Sequence, residues 1–153
     1  MKMLQMLQVD LKYTGSTKPE LSYGTEGSAG LDLSADIHEA IILYPGQRKL
    51  IPTGLSIHIK DPNCMAIIAP RSGLGHKHGL IMGNAIGVID SSYTGELFIS
   101  AWNSHESSSF TIEPAMRIAQ LIFLPIIHAQ FTEVEEHVET ERGSGGFGST
   151  GVN

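Results

Sequence analysis

Apolar stretches in this chain are short, and Gly, Pro, Asn or Ser closes nearly every one of them. Helical periodicity is almost absent. Apolar runs bounded by turn residues and rich in Ile, Leu and Val read as β-strands. Leu4 to Tyr13, Ala40 to Tyr44, Lys49 to Ile59, Met65 to Ala69, Glu96 to Trp102 and Ser109 to Ile112 fit that description. Leu55-Ser56-Ile57-His58-Ile59 alternates cleanly, with its aliphatic residues on one face. The longer run Ala119 to Ile127 predicts a strand buried on both faces or at a subunit contact. Pro45-Gly46 and Asp61-Pro62-Asn63 are turns, and one short helical turn is expected around Ser72 to His76. Many short strands between turns imply an all-β sandwich or barrel.

At 153 residues the chain is long enough for one domain with a full core. No apolar stretch approaches the roughly 20 residues that span a bilayer, and the N-terminus lacks a signal peptide's cleavage pattern. Cys64 has no second cysteine to pair with, which fits a reducing compartment, and a cytoplasmic location is expected. Cys64 itself reads as a buried strand residue. A net charge of −6 without a basic run argues against a general duplex DNA or RNA binder. A small anionic ligand stays open, provided Arg, Gly and Ser gather at one site.

From His137 the composition changes to Gly, Ser and Thr with few apolar anchors, so residues 1–136 read as a β domain and 137–153 as a flexible tail. A frayed terminus is the plain alternative. Extended, such a tail reaches about 55 Å, far enough to touch a neighbouring subunit.

Chemistry-bearing residues cluster in a few places. Pro70-Arg71-Ser72-Gly73-Leu74-Gly75 offers a planar cation, a hydroxyl and glycine backbone suited to phosphate oxygens. A turn leading into a short helix uses the same residues. In Gly87-Val88-Ile89-Asp90-Ser91-Ser92-Tyr93-Thr94-Gly95-Glu96-Leu97, Asp90 is a candidate to deprotonate water and Tyr93 offers a flat face to a sugar or base. A hairpin end without chemistry reads the same. Arg142 to Gly151 is Gly-rich but lacks the Gly-Lys-Ser/Thr ending of a P-loop. Its Arg, hydroxyls and Phe147 suit a lid that closes over a nucleotide. His76-Lys77-His78 has no companion ligands for a transition metal, and Glu133 to Glu136 is a solvated strand end.

In this order the segments resemble the motifs of the trimeric dUTPase family, bacterial type. The first is Ala29-Gly30-Leu31-Asp32-Leu33-Ser34-Ala35, with Ser34 where many bacterial members carry Arg. The second and third are Pro70 to Gly75 and Gly87 to Leu97, the fourth is Arg117 to Phe123, and the fifth is the tail from Arg142. The resemblance implies a distorted jelly roll with at most one short helix, a homotrimer with sites shared between subunits, and Mg2+-assisted hydrolysis of dUTP to dUMP and pyrophosphate. Residue by residue, it implies that Asp90 activates the attacking water and that Tyr93 packs under the deoxyribose. Asn84 with the backbone through Val88 and Ile89 forms a uracil slot bordered by Phe98. Arg71, Ser72, Gly73 and Gln120 hold phosphates, while Phe147, Arg142, Ser149 and Thr150 close from the tail. Asp32 either touches a water of Mg2+ or is a structural carboxylate. A dCTP deaminase and a nucleotide-sensing module built on the same fold are the rival readings.

Overall fold

The computed structural model describes residues 6–146. Ten strands and one helix follow in the order β1 (Val9–Tyr13), β2 (Leu31–Ser34), β3 (Ile41–Leu43), β4 (Arg48–Ile59), β5 (Cys64–Pro70), α1 (Ser72–His78), β6 (Leu80–Met82), β7 (Gly87–Ile89), β8 (Glu96–Asn103), β9 (Phe110–Ile112) and β10 (Arg117–Pro125). The turn residues separate the strands as expected, and α1 runs two residues beyond the predicted turn. It stops where Gly79 takes a left-handed φ of 68° and donates its N–H back to the Gly75 carbonyl.

Two four-stranded antiparallel sheets, ordered β1-β4-β8-β6 and β2-β10-β5-β7, make the body, with β3 and β9 paired beside them. Neighbours in each sheet are distant in sequence, as in a jelly roll. Alternation supplies the core: Leu97, Ile99 and Ala101 of β8 and Leu55, Ile57 and Ile59 of β4 are buried, joined from the other sheet by Leu33, Ala66, Ile68 and Leu121. Burying each large aliphatic side chain contributes about 1.5–3 kcal/mol. The chain-wide pattern thus fixes which face of each strand points inward.

Some expectations shift. β1 starts at Val9, later than the apolar run suggests. The last strand runs Arg117–Pro125, displaced toward the N-terminus from the predicted Ala119 to Ile127. Its first half is buried on both faces, since consecutive Ile118 and Ala119 are both covered, but Leu124 is exposed and Ile127 lies fully in the open. Cys64 is half-buried at the start of β5 rather than buried, with Sγ 3.7 Å from an Asp61 carboxylate oxygen. Among the described residues regular structure ends at Pro125, and the exposed segment that follows carries Phe131 and Val138 to solvent. No helix among the described residues is long and apolar enough to cross a membrane.

Candidate active site

Two groups of side chains stand at opposite ends of the second sheet. The first gathers around the end of β5. Asp32 on β2 pairs in register with Gln120 on β10, and Gln120 pairs with Ala69 on β5. That register places Asp32 beside the loop carrying Arg71. The Arg71 Nε lies 3.0 Å from one Asp32 oxygen, and the Arg117 Nη1 lies 2.9 Å from the other. Arg71 also donates from Nη1 to the Arg117 carbonyl at 3.2 Å. Asp32 is therefore a clamp between two guanidiniums, which supports its reading as a structural carboxylate. Gln120 donates from Nε2 to the Pro70 carbonyl at 3.0 Å. Gln120 thus holds the loop, with its other amide atom against Gly30.

Arg71 precedes the helix in extended conformation, at φ −82° and ψ 130°, and makes no side-chain cap. The N–H groups of Ser72 and Gly73 open α1 and have no partner within the helix. Arg71, Ser72 and Gly73 line a cavity of about 230 Å³ with Lys77 and His78. A second cavity, of about 300 Å³, opens over β2 between Glu20, Ser22, Asp32, Ser34 and Arg117. Arg117 opens the fourth motif and Lys77 lies in the His76-Lys77-His78 run, but motif reading gave neither a site role. Their place at the site shows once β10 and α1 are laid beside Asp32 and Arg71.

The second group follows β7. Tyr93 donates its backbone N–H to the Asp90 carbonyl at 3.1 Å, so the two residues flank one tight turn. Asp90 and Tyr93 are both exposed. Gly83 donates to the Ser100 carbonyl at 2.7 Å, extending the β6–β8 ladder into the bend that carries Asn84. Phe98 stands two residues along β8 from Ser100 and is 45% exposed. Asn84 is exposed, and Ala85 beside it holds a left-handed φ of 62°. Val88 is exposed on the outer face of β7, and Ile89 is half-buried.

The two groups do not meet within one protomer. Ile89 pairs with Ala66, which places Asp90 level with Met65, whereas Arg71 lies past Pro70 at the other end of β5. At about 3.3 Å per residue the separation is roughly 20 Å. In the tail, Arg142 donates from Nε to the Gly145 carbonyl at 3.0 Å. Phe147, Ser149 and Thr150 lie outside the described residues. No group of three His, Cys, Asp or Glu among the described residues is arranged to hold a metal.

Fold and site together define a jelly-roll protein equipped for an anionic ligand. The dUTPase family model matches residues 17–151, and the chain belongs to that family. It is 52% identical over 150 residues to the deoxyuridine 5'-triphosphate nucleotidohydrolase of Tolumonas auensis, covering 95% of this chain and 99% of that protein. A protein of the same description from Haemophilus influenzae is 53% identical, over 95% and 99% of the two chains. Among solved structures, the Staphylococcus bacteriophage 80alpha dUTPase with dUpNHpp superposes with a TM-score of 0.84 at 27% identity, covering 95% of this chain and 99% of that one.

Proposed function

We infer that this protein hydrolyses dUTP to dUMP and pyrophosphate, with its active sites built between the subunits of a homotrimer. The observation that carries the reading is the tight turn after β7 that Asp90 and Tyr93 flank. A water held by Asp90 gives up its proton to the carboxylate as its oxygen attacks the α-phosphorus. The bond from that phosphorus to the bridging oxygen breaks, and pyrophosphate leaves. Tyr93 packs under the deoxyribose and leaves no room for a 2′-hydroxyl. Asn84 and the backbone through Val88 and Ile89 receive uracil beside Phe98. Mispaired buried polar groups there cost cytosine about 1–3 kcal/mol each.

At the other end, Arg71, Ser72 and Gly73 supply charge and N–H donors to the phosphates, while Gln120 keeps their loop in place. The Asp90-to-Arg71 separation exceeds what one nucleotide bridges between sugar and phosphates, which supports a site shared by two copies. Uncovered apolar side chains support the same assembly. Val88 pairs with Ile67, which pairs with Ile122 on β10, and Leu124 pairs with Met65, all on the outer face of the second sheet. The tail residues Arg142, Phe147, Ser149 and Thr150 are proposed to close over the bound nucleotide from a further copy.

Mg2+ would be held mainly by phosphate oxygens and water, because this ion dehydrates reluctantly and usually lacks a full protein cage. Both Asp32 oxygens already face arginines, so Asp32 would reach such an ion only through water. When bound, Mg2+ supplies neutralisation of charge on the leaving pyrophosphate. Isolation in a reducing cytoplasm is part of the proposal and accords with the unpaired Cys64.

Incubation with Mg2+ and, separately, dUTP, dCTP, dTTP and UTP tests the reading, with products separated by chromatography. Release of dUMP and pyrophosphate from dUTP alone is expected. Ammonia from dCTP would assign the chain to deamination, and tight dUTP binding without product would make it a sensing module.

A further inference from the structure

The Tyr93 ring rests on bare backbone. A Cβ placed on Gly95 would lie 2.5 Å from the Tyr93 hydroxyl oxygen and 2.7 Å from Cζ, closer than real Cβ contacts come, and 3.0 Å from Cε2. The same hydroxyl donates to the Glu96 carbonyl at 2.8 Å, so the hydroxyl end of the ring is held over Gly95. That backbone is itself fixed. The buried Ser56 donates from Oγ to the Thr94 carbonyl at 2.7 Å, and the Glu96 carboxylate accepts the Gly54 N–H at 3.0 Å. A methyl group at position 95 therefore cannot be relieved by the platform moving. The ring must lift, and lifting breaks the hydroxyl bond to Glu96.

We propose that Gly95 is the positioning residue that sets dUTPase sugar specificity here, by letting the Tyr93 ring lie at the depth that excludes a 2′-hydroxyl. The inference rests on the role given to Tyr93 under Proposed function. Gly95 touches no substrate and acts only through that ring. Because Asp90 precedes the platform and keeps its own turn to Tyr93 N–H, displacing the ring alters sugar selection more than proton transfer.

The test compares kcat/KM for dUTP and UTP in the wild type, Gly95→Ala, Tyr93→Ala, Tyr93→Phe and the Gly95→Ala/Tyr93→Ala double variant, after thermal melts confirm folding. Gly95→Ala is expected to narrow the dUTP-over-UTP ratio by about tenfold or more. Tyr93→Phe, which loses the bond to Glu96, is expected to narrow it less. In the Tyr93→Ala background the added methyl has nothing to displace, so the ratio should not change further. A folded Gly95→Ala that slows both substrates equally, while Tyr93→Ala narrows the ratio, overturns the proposal and leaves the Tyr93 reading standing. Tyr93→Ala with an unchanged ratio overturns the Tyr93 reading itself. If Gly95→Ala does not fold, an unchanged ratio in Tyr93→Phe overturns the proposal and a narrowed one supports it.

Discussion

Asp32 spends both carboxylate oxygens on Arg71 and Arg117, each pair only partly shielded from water. Exposed pairs of this kind contribute little to stability, about 0–1 kcal/mol, so the clamp matters for where Arg71 points. Asp32→Asn is expected to leave the melting temperature nearly unchanged and to raise KM for dUTP roughly tenfold with a smaller change in kcat. A rise in the Mg2+ concentration needed for half-maximal rate, at constant KM, would instead make Asp32 a metal contact. Asp90→Asn keeps the turn to Tyr93 but removes the base, and kcat should fall about 10²–10⁴-fold with the fold intact. The residue types at Asp90, Tyr93 and Arg71 were legible in the sequence because turn and glycine signals surround them. The clamp was not, since Arg117 meets Asp32 only through the β2–β10 register, 85 positions apart in the chain.

Among the elements, the long strand β4 was readable from its alternation, whereas β2, β6 and β7 were not marked as strands. Runs of three or four residues are too short to show a period, and their partners, not their own pattern, make them strands. A bulge in β4 between Pro52 and Ser56 is equally silent in sequence. There Gly54, at φ 66°, faces Asp36, whose oxygens accept N–H and hydroxyl bonds from both Ser16 and Thr17. Partial burial raises the Asp36 pKa, but these bonds from Thr17 and Ser16 outweigh it and hold the carboxyl below its ordinary value. A carboxylate depressed on folding adds stability above its unfolded pKa, about 3.9, and that stability is lost as pH falls through the folded value. Asp36→Asn should therefore lower the melting temperature at pH 7 and lose less than the wild type between pH 5 and pH 2, followed by circular dichroism. Ala85 holds a left-handed backbone at the bend beside Asn84, so Ala85→Gly should melt no lower than the wild type, while Ala85→Val should cost about 1–2 kcal/mol.

At the scale of the molecule, one protomer carries the Asp90 and Arg71 groups at opposite ends of one sheet. The sequence ordered the motifs but did not say which of them share a protomer's end of the sheet. The antiparallel pairing of β5 with β7 decides that, sending Asp90 one way and Arg71 the other. Under the proposed assembly, the outer row of exposed Val88 and half-buried Ile67 and Ile122 would be covered as the two groups are brought together.

The most direct measurement mixes two defective proteins. Arg71→Ala and Asp90→Asn are each expected to be nearly inactive alone; they are co-refolded at equal concentration and assayed with dUTP and Mg2+. Roughly three quarters of random trimers are mixed and about one site in three of each regains both residues, so activity should return to about a quarter of wild type. Mixed trimers that form, by mass of differently tagged subunits, yet stay inactive would contradict a site shared between protomers.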